Sequence, residues 1–167
     1  MPRKDDIQMS EAEIRSYLRE DHTMTLATNG AHGHPHAVAM FYGLDDDLTI
    51  RFATYRQSQK VRNIERDPRV CLLVETGSAY DELRGVMIEG IATISTDLDE
   101  TVKTMIEANA TTGSPLPRLE EIPHEAKVGM AGKRVLVSVR PTRFASWDHA
   151  KLPSGKTPAG LRESLGE

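Results

Sequence analysis

The sequence predicts a mainly β chain, six or so strands closing as a barrel with a few flanking α-helices. Two observations predict it. Short runs of apolar and β-branched residues recur between turn signals, and only one long helical stretch is inserted among them. A regular strand-and-helix alternation, which would build a parallel sheet, is missing.

The elements follow in order. In "SEAEIRSYLRE", Ser10 and Glu13 stand at capping-box spacing, and Ile14, Tyr17 and Leu18 share one helical face, which predicts a short helix over about residues 10–20. "TMTLATNGAHGHPHAVAMFYGLDDDLTIRFAT" reads as three strand-like runs split by Asn29-Gly30 and by Asp45 to Asp47, a β-meander. "SQKVRNIERDP" spaces Val61 and Ile64 as a helix would, and Pro68 stops it. "RVCLLVE" is the next strand. "GVMIEGIATIST" is a long strand interrupted by Gly90. A helix is expected from about Asp97 to Ala108, then a Pro-rich loop through Pro123, then "KRVLVSVRPTRFASW" as a last strand pair. The tail, about residues 153–167, is polar and punctuated by Gly and Pro, as a mobile segment or one laid over a partner would be. Neither a repeat nor a linker divides the 167 residues, so a single domain is expected.

Composition excludes several function classes. With 25 acidic against 21 basic residues the chain lacks the broad positive charge of a nucleic-acid binder. No apolar run is long enough to span a bilayer, and "MPRKDDIQMS" has no signal-like apolar segment, so a cytoplasmic protein is expected. The one cysteine, Cys71, has no internal disulfide partner and sits in an apolar run, where a thiol serves as a small buried hydrophobe.

The positive charge is local instead. "RFATYRQSQKVRNIERDPRV" gathers five arginines and a lysine. Thr54, Ser58, Gln59 and Lys60 supply hydroxyl, amide and ammonium donors where a strand ends and a helix begins. Free N–H groups and the positive dipole end of the helix favour a phosphate there, and Arg56 and Arg62 extend the field. "GMAGKRV" lacks the spacing and the Ser/Thr of a Walker loop, and no G-x-G-x-x-G occurs, so no standard nucleotide motif holds such a phosphate.

Three other groupings carry two readings each. His32, His34 and His36 in "HGHPH" could share a metal or form a hairpin rim; with no adjacent carboxylate or thiol and Pro35 in the run, the rim is the better reading. Trp147 could stack on a ring or anchor one end of the barrel. Asp148-His149 fits a surface turn better than an acid–base pair, and Arg84 and Glu89 could pair across a strand or face a ligand.

From about His36 to Ile94 the chain resembles the pyridoxamine 5'-phosphate oxidase-like superfamily of flavin-binding split β-barrels. The residues that carry the resemblance are a strand ending in F-x-T, Ser-x-Lys at the next helix start, an Asn-Ile-x-x-x-Pro-x-Val link and a V-x-x-x-G strand. The resemblance implies that Ser58, Gln59 and Lys60 hold a cofactor phosphate, that Ala53 and Thr54 line the ribityl chain, and that Val38, Ala39 and Met40 flank the isoalloxazine edge. It also implies a homodimer with two sites at the interface. "VSVRPTRFASWDHAKL", with Trp147 and Lys151, is similar to the branch that uses FMN or the deazaflavin coenzyme F-420.

Gln59 stands where the oxidase proper has an arginine, and the Arg-rich ending that grips pyridoxamine phosphate is missing. Oxidation of that substrate is therefore not expected. A looser phosphate grip flanked by Arg56 and Arg62 favours the longer anionic tail of F-420 over FMN. The expected activity is hydride transfer to or from a small organic substrate. The alternatives are a flavin carrier without catalysis and a barrel that has lost its cofactor. Such chemistry demands binding and orientation rather than a general acid or base, so no catalytic side chain is assigned.

Overall fold

The computed structural model describes residues 6–20, 23–110 and 115–152. The tail read at 153–167 lies outside the described residues. Helix α1 (Glu11–Leu18) forms where expected, because Ser10 Oγ accepts from the Glu13 N–H while the Glu13 carboxylate accepts from the Ser10 N–H. Strand β1 (Thr23–Asn29), β2 (Pro35–Phe41), the two-residue β3 (Gly43–Leu44) and β4 (Ile50–Tyr55) lead to helix α2 (Gln59–Arg66). Next come β5 (Arg69–Thr76), β6 (Arg84–Ser95) and α3 (Leu98–Asn109), whose N-cap Asp97 accepts from Glu100 N at 2.9 Å. Helix α4 (His124–Ala131) and β7 (Arg134–Asp148) complete the order.

The strands form one sheet in the order β2-β1-β5-β6-β7-β4-β3, every neighbour antiparallel. Inward residues of β1, β4, β5, β6 and β7, among them Leu26, Phe52, Leu72, Ile88 and Val137, meet in a single core cluster. The sheet therefore curls on itself with two free edges, the split-barrel plan. The count is seven strands rather than six, β3 being the short addition.

Three expectations need correction. The meander breaks after β2: the chain turns at Tyr42, whose hydroxyl donates to Leu18 O at 2.9 Å, and β4 crosses to pair with β7. Period-two burial of Ile50, Phe52 and Thr54 says which face is inward but not which strand lies alongside. The last strand pair is one bent strand. Glu89 faces Arg143 and Gly90 faces Pro141, so Thr142 is the extra residue of a bulge, and its hydroxyl satisfies Glu89 O at 3.0 Å. Gly90 permits the close approach there, since a Cβ would lie 2.5 Å from Val139 Cγ1. The Pro-rich loop is followed by α4, whose Val128 and Met130 are exposed and so left no amphipathic pattern to read.

Candidate functional site

The sheet order makes β2 one edge and β3 the other, and since β3 covers only Ile50 and Arg51, the rest of β4 borders the slit as a free edge. Helix α2 bridges the two sides at one end. Lys60 Nζ donates to Thr54 Oγ1 at the end of β4 (3.0 Å), while Asn63 Nδ2 donates to Thr28 Oγ1 near the end of β1 (2.9 Å) and Arg66 donates to Asn29 O. The sequence sets this up: Val61 and Ile64 are buried in the core, which turns Lys60 toward β4 and Asn63 toward β1. At the other end the slit closes at Tyr42, where a cavity of about 600 Å³ lies between the ends of α1 and α3 and the β3–β4 turn. Its wall includes Arg51, a nearly buried guanidinium paired with Asp45 (2.5 Å), Glu100 (2.9 Å) and Glu107 (3.7 Å).

The residues singled out from the sequence fall around this slit. Val38 and Met40 on β2 pack against the core and Ala39 faces outward. Ala53 and Thr54 lie on β4, opposite Leu136 and Val135 of β7. Ser58 is the N-cap of α2; its Oγ is buried, makes no capping bond and has no hydrogen-bond partner among the described residues. A buried hydroxyl without a partner is costly unless something else fills the position, which an anion at this helix end would do. Partial burial lowers the Lys60 pKa below the usual lysine value, and no carboxylate among the described residues pairs with it. Gln59 sits in the first turn, but its amide donates to Asn63 Oδ1 at 2.9 Å. Arg56 and Arg62 are exposed and form no ion pair among the described residues. The donor set fits a phosphate: one hydroxyl without a partner, one ammonium, the helix N–H groups and two unpaired guanidinium groups.

Trp147 lies elsewhere on the same chain. It is near the far end of β7 from Val135, and its indole covers Gly85, where a Cβ would lie 2.4 Å from the ring. His32 and His34 are exposed in the β1–β2 loop and His36 is on β2; among the described residues no group of three or more His, Cys, Asp or Glu could hold a metal. Asp148 caps the turn His149–Lys151 and pairs with Arg84, and His149 Nδ1 bonds Tyr80 O at 2.7 Å. Arg84 and Glu89 do not pair with each other: Arg84 takes Glu20 and Asp148 and lies over the Tyr17 ring, while Glu89 takes Arg143. Cys71 is half-buried on the outer face of β5 rather than in the core, and burial followed by the charge of Glu89 raises its pKa.

Sequence reasoning missed the wall that β7 and α4 supply. Arg134 lies over the Tyr55 ring at 4.2 Å and donates to its hydroxyl, and Lys133 O accepts from Arg56 N at 3.0 Å. Lys133 and Arg134 stand in "GMAGKRV", and nothing in that local pattern says that β7 returns beside β4.

A family model described as pyridoxamine 5'-phosphate oxidase matches residues 10–148. A solved structure of a conserved hypothetical protein from Mycobacterium tuberculosis superposes with a TM-score of 0.79 at 38% identity, over 92% of this chain and 94% of that one. A structure described as F420 reductase superposes with a TM-score of 0.58 at 27% identity, over 78% of this chain and 94% of that one. Among curated proteins, a 5a,11a-dehydrotetracycline/5a,11a-dehydrooxytetracycline reductase of Streptomyces rimosus is 34% identical over 82 residues, 46% of this chain. The match spans 58% of the length of that relative.

Proposed function

Since the chain belongs to the pyridoxamine 5'-phosphate oxidase family, we propose that it is an oxidoreductase which holds a phosphate-bearing flavin or deazaflavin in the slit, F-420 in preference to FMN. The observation that carries the reading is the buried, partnerless Ser58 hydroxyl beside Lys60 at the one end of the slit that a helix closes. The similarity to an F420 reductase and to a 5a,11a-dehydrotetracycline/5a,11a-dehydrooxytetracycline reductase supports the deazaflavin and the oxidoreductase class.

In this reading Ser58, Lys60 and the first turn of α2 bind the phosphate. Thr54 holds the Lys60 ammonium in place. Ala53 and Thr54 border the ribityl chain, Val38, Ala39 and Met40 border the ring edge, and Arg56 reaches past the phosphate. When bound, the cofactor supplies hydride transfer with a small organic substrate. The protein binds, orients and excludes water. The cavity of about 600 Å³ at the Tyr42 end of the slit is the room it offers that substrate.

The test is a fluorescence titration of the purified protein with F-420 and with FMN. Lys60→Ala should weaken both by about 1.5–3 kcal/mol, the usual value of a charge-assisted hydrogen bond. Unchanged affinity in that variant would remove the phosphate from α2. Binding without turnover of any hydride acceptor would leave a flavin carrier.

A further inference from the structure

Many of the cations of this protein have a carboxylate partner. Arg15, Arg19, Arg51, Arg84, Lys127 and Lys151 all pair with Asp or Glu, as do Arg69 and Arg143. Around the junction of β4, α2 and β7 five cations without one lie together. Arg56, Lys60, Arg62, Lys133 and Arg134 have no carboxylate partner among the described residues. Arg66, Lys103, Arg118 and Arg140 also lack one among the described residues, but none of these four lines the pocket at this junction, where the positive charge is gathered.

Two of these cations are held side by side by the backbone. The Arg56 N–H donates to Lys133 O at 3.0 Å, extending the β4–β7 ladder by one step beyond the Tyr55 and Arg134 pair. Both side chains border an open pocket lined by Tyr55, Arg56, Gln57, Ser58, Gly132 and Lys133, with no acidic residue in the lining. Arg134, stacked on Tyr55, fixes one wall. Like charges on neighbouring residues with no carboxylate in the pocket lining repel each other, and an anion between them relieves the cost.

We propose that this pocket is a second anion site, continuous with the phosphate position at Ser58, and that Lys133 with Arg56 makes the protein select ligands carrying a further anionic group beyond a terminal phosphate. The site rests on the reading of α2 as the phosphate-holding helix but adds a specificity-determining residue, Lys133, from an element that reading does not use. The ligand chemistry is a phosphate joined to another phosphate or to carboxylates, which a dinucleotide flavin and a carboxylate-tailed deazaflavin both supply.

Two arms test it, both by binding. In the first, the apoprotein is titrated with inorganic phosphate and with tripolyphosphate while the amide resonances of Arg56, Ser58 and Lys133 are followed. Tripolyphosphate should bind at least about tenfold more tightly, the increment of one added charge-assisted bond. Lys133→Gln should remove that advantage while changing phosphate affinity less than about twofold, because a surface substitution leaves the helix end intact. Equal affinity for the two anions, or an advantage that survives in Lys133→Gln, overturns the proposal. In the second arm FMN, FAD and F-420 are compared. Lys133→Gln should weaken the ligand with the matching extension by about tenfold and leave FMN unchanged, which identifies the source of the second anionic group. An equal effect on all three overturns the selectivity. If the first arm succeeds and no flavin binds the wild type, the cofactor reading fails and the anion site stands. If flavins bind and the first arm fails, the reverse holds.

Discussion

Asn63 shows how one residue can join fold and site. It is fully buried, donates to Thr28 Oγ1 at 2.9 Å and accepts from Gln59 Nε2 and Arg66 on its own helix. Every polar atom of its amide group is therefore engaged with a neighbour that fixes α2 against β1. Asn63→Leu keeps the volume but leaves the Thr28 hydroxyl without its donor inside the core, a loss of about 1–3 kcal/mol. For a chain of this size the expected drop in melting temperature is about 2–12 °C, with cofactor affinity falling as the helix end shifts. A variant as stable as the wild type would mean that α2 is held by Val61 and Ile64 alone. The sequence displayed Asn63 only as part of a link between helix and strand. Its burial could not be read from it, because a lone Asn on an amphipathic helix usually faces water.

At the scale of elements, what was legible was local. The capping box of α1, the start of α3 near Asp97 and the Pro68 stop of α2 all lie within a few residues of what they control, and each formed as its residues dictate. Partner choice was not legible: the crossing of β4 to β7 and the bulge that makes one strand of "KRVLVSVRPTRFASW" depend on contacts tens of residues away. The same division holds for the site. Ser58, Lys60 and Thr54 are close in sequence and were readable together, while Lys133 comes from the far side of β7's return. Helix α1 also ties down the end of β7, since Lys151 Nζ reaches the Glu13 carboxylate at 2.8 Å and Gln8 O at 2.9 Å. The Lys151 bond, followed by the Ser10 N–H, lowers the Glu13 pKa from 4.5 to about 2. Because the folded value is depressed, the stabilisation is complete above pH 4.5 and is lost as the pH falls toward 2. Lys151→Met should therefore melt slightly below the wild type at neutral pH and converge with it in that acid range. A gap in melting temperature that persists at the lowest pH would assign the effect to packing of the lysine stem instead.

For the molecule as a whole, the outer face of the sheet decides how the chain is finished. Leu73 and Met87 face each other across β5 and β6, with Ala145 and Trp147 beside them on β7, all half-buried on the side away from the core. Apolar residues on the outer side of a sheet suit a second copy, and we expect two 18.5 kDa chains to form a species of about 37 kDa by light scattering. A monomer that still binds one cofactor per chain would show the site to be complete within one protomer. The central claim is that the slit between β2 and β4, closed by α2, is one cofactor site. Its most direct test is to titrate ¹⁵N-labelled protein with F-420 and with FMN and to follow the amide resonances of the slit. The account predicts that Val38, Ala39, Met40, Ala53, Thr54, Ser58 and Lys60 shift together along one saturating curve, at lower concentration for F-420. Shifts confined to residues away from the slit, or none on α2, would contradict it.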